Sequence, residues 1–570
     1  MAELFIELFS EEIPSKLQID ARKKIKEIID QKLKKKEINF KSSKSFSTPK
    51  RLVFFIEGIP EKIEQKKKII KGPSVKAPQE ALDGFIKSNN LNKSDVYKKN
   101  LEKGEFYFAE TKLKVIDVSK ELQSIIPEAL QSYSWKKSMK WSVYDLDWGR
   151  PLKSIIALFN NEVVNFNFFH LQSSDLTLVD GTNEDKIKKI NSFKTYLSVL
   201  KSQNIILDQE KRKKIILKKM NNICNARNLK NNFNEKLIEE VVNLVEKPNV
   251  IVGKFDEIYL KIPQEILIVT MQQHQKYFPL FENNDKLTNL FLLVSNLVDK
   301  KGYIKIGNQR VIEARLSDAK FFWDKNKTQS LVKQVGKLKN LSFFNQLGTF
   351  YDRTQRLRKL ASPVSDQLNL SKEKIEIASS ICKVDLMSDL VGEFPELQGV
   401  LGGYFAETQG FDKDISLAVS EHYLPVGMDS KIPKKPYSIA LSLSDKLDSL
   451  VGFFGIKLKP SSSKDPYALR RMAISLVRLI IENNIKFKLR DFINYSCKLY
   501  KEQSFEFDIK FLNAELKAFG YPSLRLKDHI DTLQIARQKF PGSPANLDAL
   551  CRRFGIDNTN RELHGALLDS

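Results

Sequence analysis

The sequence offers no cysteine pair to build on. Its four cysteines, Cys224, Cys382, Cys497 and Cys551, are widely separated, with no C-x-x-C spacing. That pattern argues against a disulfide framework and a cysteine zinc site, and makes a reducing cytoplasm the expected compartment. No apolar run approaches the roughly 18 residues of a membrane span. The longest stretches, such as 290–298 (LFLLVSNLV), suit a buried strand, and no membrane partner is expected. The first residues are acidic and amphipathic, which does not read as a secretory signal. Histidine is scarce, five in 570 residues, so a histidine-rich metal set is not expected. A glycine-rich phosphate loop is missing too. The nearest candidate, Gly72-Pro73-Ser74, lacks a G-K-[ST] ending and reads as a structural turn.

What is present is a long, basic chain. The length allows about three to four domains, each able to bury a core, and 42% hydrophobic with 29% charged residues is a globular composition. The net charge is +24. Residues 501–570 hold ten basic and ten acidic side chains, so the whole surplus lies in residues 1–500. Such a surplus favours a polyanionic partner through counterion release; a lysine-rich codon bias would produce the same excess.

Along the chain, ELFIELF alternates as a strand, 16–36 reads as a basic helix, and RLVFFIEG as a second strand. Residues 71–87 read as a loop entering a helix, 104–117 as a strand pair, and 119–132 as a helix. The stretch 132–151 interleaves Trp135, Trp141 and Trp148 with Lys136, Lys137, Lys140 and Arg150. Rings among cations suit stacking on bases with phosphate neutralisation; the alternative is a loop whose tryptophans cap the core. Residues 154–169 read as a hairpin turning at Asn160-Asn161, and 192–246 as mainly helical. In MQQHQKYFPLF (271–281), His274 and Lys276 are candidate phosphate contacts, and a structural hydrogen bond competes for His274. Arg310 and Arg315 follow on a predicted helix, where Glu313 and Asp318 offer a structural ion network instead. From 337 to 490 apolar residues recur at helical steps: Leu386, Leu390, Val391 and Phe394, then Leu441, Leu443, Leu447, Leu450 and Val451. Lys464, Arg470 and Arg471 form a basic cluster at a helix start, with Ser463 or Asp465 as the cap and Pro466 in the first turn.

These motifs, in this order, resemble one family. ELFIELFSEEIPSK, STPKRLVFFIEG, KGPSVK, KKSMKW, WGRPLKSIIAL, MQQHQKYFPLF, GNQRVIEARLSDAKFFWD, LGTFYDRTQR, VGEFPELQG and SKDPYALRR are similar to the beta subunit of the two-subunit bacterial glycyl-tRNA synthetase, across residues 1 to about 500. The fit loosens after His170, where LQSSDLTLVDGTNEDKIKK replaces a GHRF-type run. The resemblance implies an α+β multidomain chain. Residues 1–335 would form a mixed α/β, B3/B4-like region that binds glycine tRNA, and 336–500 an all-helical, degenerate metal-dependent phosphohydrolase domain of the His-Asp type. It implies a heterotetramer of two alpha and two beta subunits, with ATP and Mg2+ used in the alpha-subunit active site and no cofactor or catalytic centre on this chain. In the His-Asp bundle Asp385, His422 and Asp445 stand in suitable order, but Lys383 and Val384 replace the adjacent His-Asp pair. A cation in a ligand's place repels a metal, so none is expected; a working phosphohydrolase is the alternative.

After about residue 500 the text changes character. FDIKFLN and HGALLD resemble the second and third motifs of the proofreading exonuclease subunit of DNA polymerase III, giving a partial α/β exonuclease-like tail over 501–570. That resemblance makes Asp508 and Asp569 metal-binding carboxylates and His564 the general base. The two-metal chemistry also needs an Asp-x-Glu first motif, which does not precede Asp508. The tail is therefore expected to be inactive, with a DNA 3′–5′ exonuclease fragment as the alternative function. The resemblance to the synthetase also leaves its anticodon-binding region absent.

Overall fold

A computed structural model describes residues 2–500, apart from 65–68, 90, 102–103, 111–114, 180–186, 428–429, 459, 461–463 and 487. The chain is mixed α/β and divides into two compact units at 321/322. Among the described residues no helix is long and apolar enough to cross a membrane.

The first unit is built around the strand Ala2–Ser10. It lies between Leu152–Phe159 and Arg51–Ile59, antiparallel to both, with Ser42–Thr48 on the outer side of the latter. Its period-two alternation serves two cores, since successive side chains point to opposite faces. Leu4, Ile6 and Leu8 pack with Ala21, Ile25 and Ile29 of the helix Ser15–Lys35 and with Leu122 and Ile126 of the helix Val118–Gln131. Phe5, Val53, Phe55 and Ile156 face the other way, onto Tyr196 and Leu200 of the helix Phe193–Ser202. Each such leucine, isoleucine, valine or phenylalanine side chain contributes about 1.5–3 kcal/mol by leaving water.

Buried charge ties the sheet to the helices that follow. The Arg51 guanidinium pairs with Glu7 at 3.0 Å and Glu246 at 2.9 Å, and the Tyr196 hydroxyl donates to Glu7 at 2.9 Å. Burial raises the Glu7 carboxyl above its ordinary range, against the pull of Arg51. Arg212 donates to four backbone carbonyls, those of Val242, Ile206, Leu207 and Ser47. The predicted hairpin turns at Asn160 and Asn161, both at positive φ (50° and 67°), which asparagine tolerates.

Between the paired strands Lys62–Glu64 and Val115–Asp117 the chain forms a separate three-stranded antiparallel sheet. Gly104–Glu110 is central, flanked by Ile69–Ser74 and Val96–Leu101, with the helix Gln79–Ser88. Residues 71–74, expected to be loop, thus belong to a strand. A further sheet (Asn249–Lys254, Leu287–Ser295, Phe278–Phe281) packs on the helices Gln209–Ala226 and Glu235–Val242.

In the second unit the helix Pro436–Gly455 is buried from Ser438 to Phe454 without a break. It packs against Phe350–Gln367, Lys413–Glu421, Leu469–Glu482 and Leu489–Lys498. The sequence pattern implied one buried face, and the structure corrects this. Its polar positions are mostly serines that bond back to the helix, Ser444 to the Ala440 carbonyl and Ser449 to that of Asp445, both at 2.9 Å, or charges that find partners. The unit is not all-helical, because Ser342–Phe344 pairs with Gly348–Thr349. Nor do Leu386 to Phe394 form one helix. Ser388 ends a 3₁₀ turn (Val384–Met387) and caps the helix Asp389–Glu393 by accepting from the Val391 N–H. Residues 322–335, expected with the N-terminal region, pack here: Trp323 stacks on Phe405, Lys325 pairs with Asp389, and the Leu331 N–H donates to Gln409.

Candidate functional site

Among the described residues, a dense set of ionisable groups surrounds the central helix of the second unit. Lys383, fully buried, extends its ammonium to Asp445 at 2.7 Å and to His422 Nε2 at 2.9 Å, 3.8 Å from the centre of the Tyr423 ring. His422 Nδ1 lies 2.6 Å from the Val419 carbonyl. A carbonyl can only accept, so Nδ1 carries the proton and Nε2 accepts from Lys383. Burial, then the Lys383 charge, holds the imidazole well below its ordinary range and therefore neutral. Asp445 also accepts from Arg353 at 2.8 Å. Despite the cost of burial, the Arg353 and Lys383 cations hold its carboxyl far below the usual range. Asp448 accepts from Arg356 and from the Tyr500 hydroxyl, each at 2.8 Å. Lys446 donates to the Leu424 carbonyl at 2.8 Å and to Ser442 at 2.9 Å, and burial pushes its ammonium down to about 7.

The structure therefore brings two of the three His-Asp positions, His422 and Asp445, onto one atom, and that atom is the Lys383 ammonium. Asp385 is turned elsewhere. Its carboxylate accepts from the Gly399 N–H and lies against Gly402, and burial raises it to about 6. A positive charge bonded to both His422 and Asp445 opposes a divalent cation there. The arrangement joins the 383–388 turn, the end of the helix Lys413–Glu421 and the central helix into one buried network.

The cation candidates of the first unit are at the surface. Lys136, Lys137 and Lys140 are exposed; Lys136 pairs with Asp20 at 3.3 Å and Lys140 with Asp145. Arg150 is half-buried and donates to the Gly149 carbonyl at 2.9 Å. Their aromatic neighbours follow the core-capping alternative. Trp135 and Trp148 are core residues, edge to face at 5.0 Å, and a side chain at Gly149 would overlap the Trp135 ring. Trp141 is partly buried against the same core. The exposed stack is one the sequence did not single out: Tyr144 lies on His170 at 3.6 Å and 8°. The two rings are 26 residues apart in sequence, and no local pattern announces the pair.

His274 is exposed at the end of a π-helical turn (Thr270–His274), and Lys276, at φ 60°, pairs with Glu240 at 3.1 Å. The Tyr277 hydroxyl donates to Asn308, which fixes this turn to the helix Tyr303–Lys327 that carries the exposed Arg310 and Arg315. In the second unit Lys464 and Arg471 are exposed and Arg470 half-buried. Asp465 caps the helix Leu469–Glu482 by accepting from the Leu469 and Arg470 N–H groups at 2.8 and 3.0 Å, and Pro466 lies before the helix rather than in its first turn. Ser463, Asp508, His564 and Asp569 lie outside the described residues.

Comparison with known proteins accounts for most of the chain. The glycyl-tRNA synthetase beta subunit family matches residues 4–538, a span that overlaps the exonuclease-like text from 504 onward. The chain is 36% identical over 504 residues to the glycine–tRNA ligase beta subunit of Rickettsia felis, covering 88% of this chain and 75% of that protein. It is similarly 36% identical over 507 residues to that of Rickettsia africae (89% and 76%) and over 501 residues to that of Rickettsia akari (88% and 75%). With the ordered motifs, the two-unit α/β architecture and these matches together, the chain belongs to the glycyl-tRNA synthetase beta subunit family.

Proposed function

We propose that this chain is the tRNA-binding subunit of a two-subunit glycine–tRNA ligase, assembled as two alpha and two beta subunits in the cytoplasm. The alpha subunit holds the ATP, Mg2+ and glycine site, and this chain grips glycine tRNA without charging it. The observation that carries the reading is the exposed run Lys136, Lys137 and Lys140 beside the Tyr144–His170 stack, on a chain of net charge +24. Cations for phosphates and rings for bases are what a single-stranded or looped RNA requires. The phosphohydrolase alternative loses support at Lys383, whose ammonium pairs with Asp445 and takes up the His422 Nε2 lone pair that would ligate a metal.

The test is a salt titration of glycine tRNA binding. Wild-type affinity falls steeply with salt, and replacing Lys136, Lys137 and Lys140 together by alanine lowers the slope of log K against log salt by about 2–3, about one per phosphate contact. An unchanged slope removes these three lysines from the interface; a wild-type chain with no tRNA affinity at low salt contradicts the proposal itself.

A further inference from the structure

The small sheet between Ile69 and Glu110 has a face of rings and cations on which, among the described residues, Tyr97, Leu101 and Ile69 are exposed over a buried Phe108 and a half-buried Phe106. Cross-strand partners in an antiparallel sheet stand on the same face. The register pairs Tyr97 with Phe108, Lys99 with Phe106, Lys71 with Phe108, and Ile69 with Glu110. One face therefore carries Ile69, Lys71, Tyr97, Lys99, Phe106 and Phe108. The helix Gln79–Ser88 packs on the strand Ile69–Ser74, where Phe85 lies so close to Gly72 that a Cβ there would come within 2.9 Å of the ring.

On this face rings alternate with cations, the lysines lying over the half-buried Phe106 and the buried Phe108. Tyr97 stacks on Phe108 at 6.3 Å and 26°. The Lys71 ammonium stands 3.5 Å from the centre of the Phe106 ring, and that of Lys99 stands 5.9 Å from the Phe108 ring. Tyr97 is 40% exposed, Leu101 41% and Ile69 59%. Tyr97 with Leu101 and Ile69 thus forms an exposed apolar patch, the kind of surface that marks an interaction site. Two ammonium groups held over the rings bias its occupant towards one that is flat and aromatic yet anionic. A protein surface of ordinary composition supplies the first property without the second; an unpaired nucleotide supplies both.

We propose that this face is a stacking platform for unpaired RNA nucleotides, with a base laid on Tyr97 and its neighbouring phosphates met by Lys71 and Lys99. The proposal rests on the RNA-binding reading above and adds a second contact surface, separate in sequence from the Lys136–Lys140 segment. It also assigns a preference: the platform binds single strands, because the faces of paired bases are hidden within a duplex.

The experiment uses the full chain, a fluorescein-labelled single-stranded RNA ten-mer of mixed sequence, and a blunt duplex of the same sequence. Tyr97→Ala weakens single-strand binding by about tenfold or more and leaves duplex binding unchanged, as expected for loss of one stacked base. Tyr97→Phe retains wild-type affinity, which separates stacking from any role of the hydroxyl. Lys71→Ala with Lys99→Ala lowers the single-strand salt slope by about 1.4, about 0.7 per contact. A 5-iodouridine ten-mer cross-links at Tyr97 on irradiation. Equal affinity of Tyr97→Ala and wild type for the single strand overturns the platform. So does an equal loss on the duplex, or a Tyr97→Ala variant that loses only a protein partner. Because wild-type tRNA binding is measured alongside, failure of the platform with tRNA binding intact is distinct from failure of the RNA-binding reading.

Discussion

At the scale of single residues, the Lys383–His422–Asp445 contact decides how the second unit is read. Asp445 is buried between two cations, Lys383 at 2.7 Å and Arg353 at 2.8 Å. Asp445→Ala leaves both cations buried without their carboxylate, and a stranded buried charge costs about 3–5 kcal/mol. Lys383→Met leaves Asp445 still paired with Arg353 and forfeits the bond to His422, so its cost is about 1–3 kcal/mol. Urea unfolding of the two variants gives this order; a larger loss for Lys383→Met contradicts it. Asp385 supplies a pH dependence. Its folded value of about 6 lies above the ordinary 3.8, so between these pH values the native state holds more protons than the unfolded one. Stability from this group therefore falls as pH rises through that window, by up to about 3 kcal/mol. The stability of wild type minus that of Asp385→Asn decreases from about pH 4 to about pH 7; a difference that is flat or rising contradicts the assignment. From the sequence, Lys383 was recognisable as a cation in a ligand's place. That it would fill the gap itself was not, because the pairing spans 39 and 62 residues of chain.

At the scale of elements, the helix Pro436–Gly455 shows where periodicity succeeds and where it falls short. Leu441, Leu443, Leu447, Leu450 and Val451 marked it as a helix, and all five are buried. The same pattern cannot show that Ser442, Ser444, Asp445, Lys446 and Asp448 are buried as well, because it does not reveal their partners: the helix's own carbonyl for Ser444, the Leu424 carbonyl for Ser442 and Lys446, and Arg353 and Arg356 of another helix for Asp445 and Asp448. Asn160-Asn161 was legible because the turn chemistry is local, whereas the strand character of 71–74 was not, because a distant strand supplies its hydrogen bonds. Of the tryptophans, Trp135 and Trp148 went to the core: a large ring among lysines has the same sequence signature whether it caps an interior or faces solvent. Gly399 is a constrained position, at φ 83° with its N–H on Asp385 and the Tyr423 ring 2.8 Å from where a Cβ would sit. Gly399→Ala therefore costs about 1–3 kcal/mol, read as a lower urea midpoint at unchanged slope; an unchanged midpoint contradicts the strain.

At the scale of the molecule, charge and family membership point the same way. The +24 surplus lies in residues 1–500, while the ionisable groups around the central helix neutralise one another in the interior. The candidate RNA-contacting lysines 136, 137 and 140 lie at the surface, and the buried cations serve the fold. The family was legible in the ordered motifs. The stacks of Tyr144 on His170 and of Tyr97 on Phe108 were not, because each pairs rings from separate strands or loops. The division of labour between a subunit that grips RNA and one that performs ligation is tested most directly by glycylation of glycine tRNA with ATP, Mg2+ and glycine, using this chain alone and with its alpha subunit. Charging only when the alpha subunit is added is the predicted result; robust charging by this chain alone would contradict it.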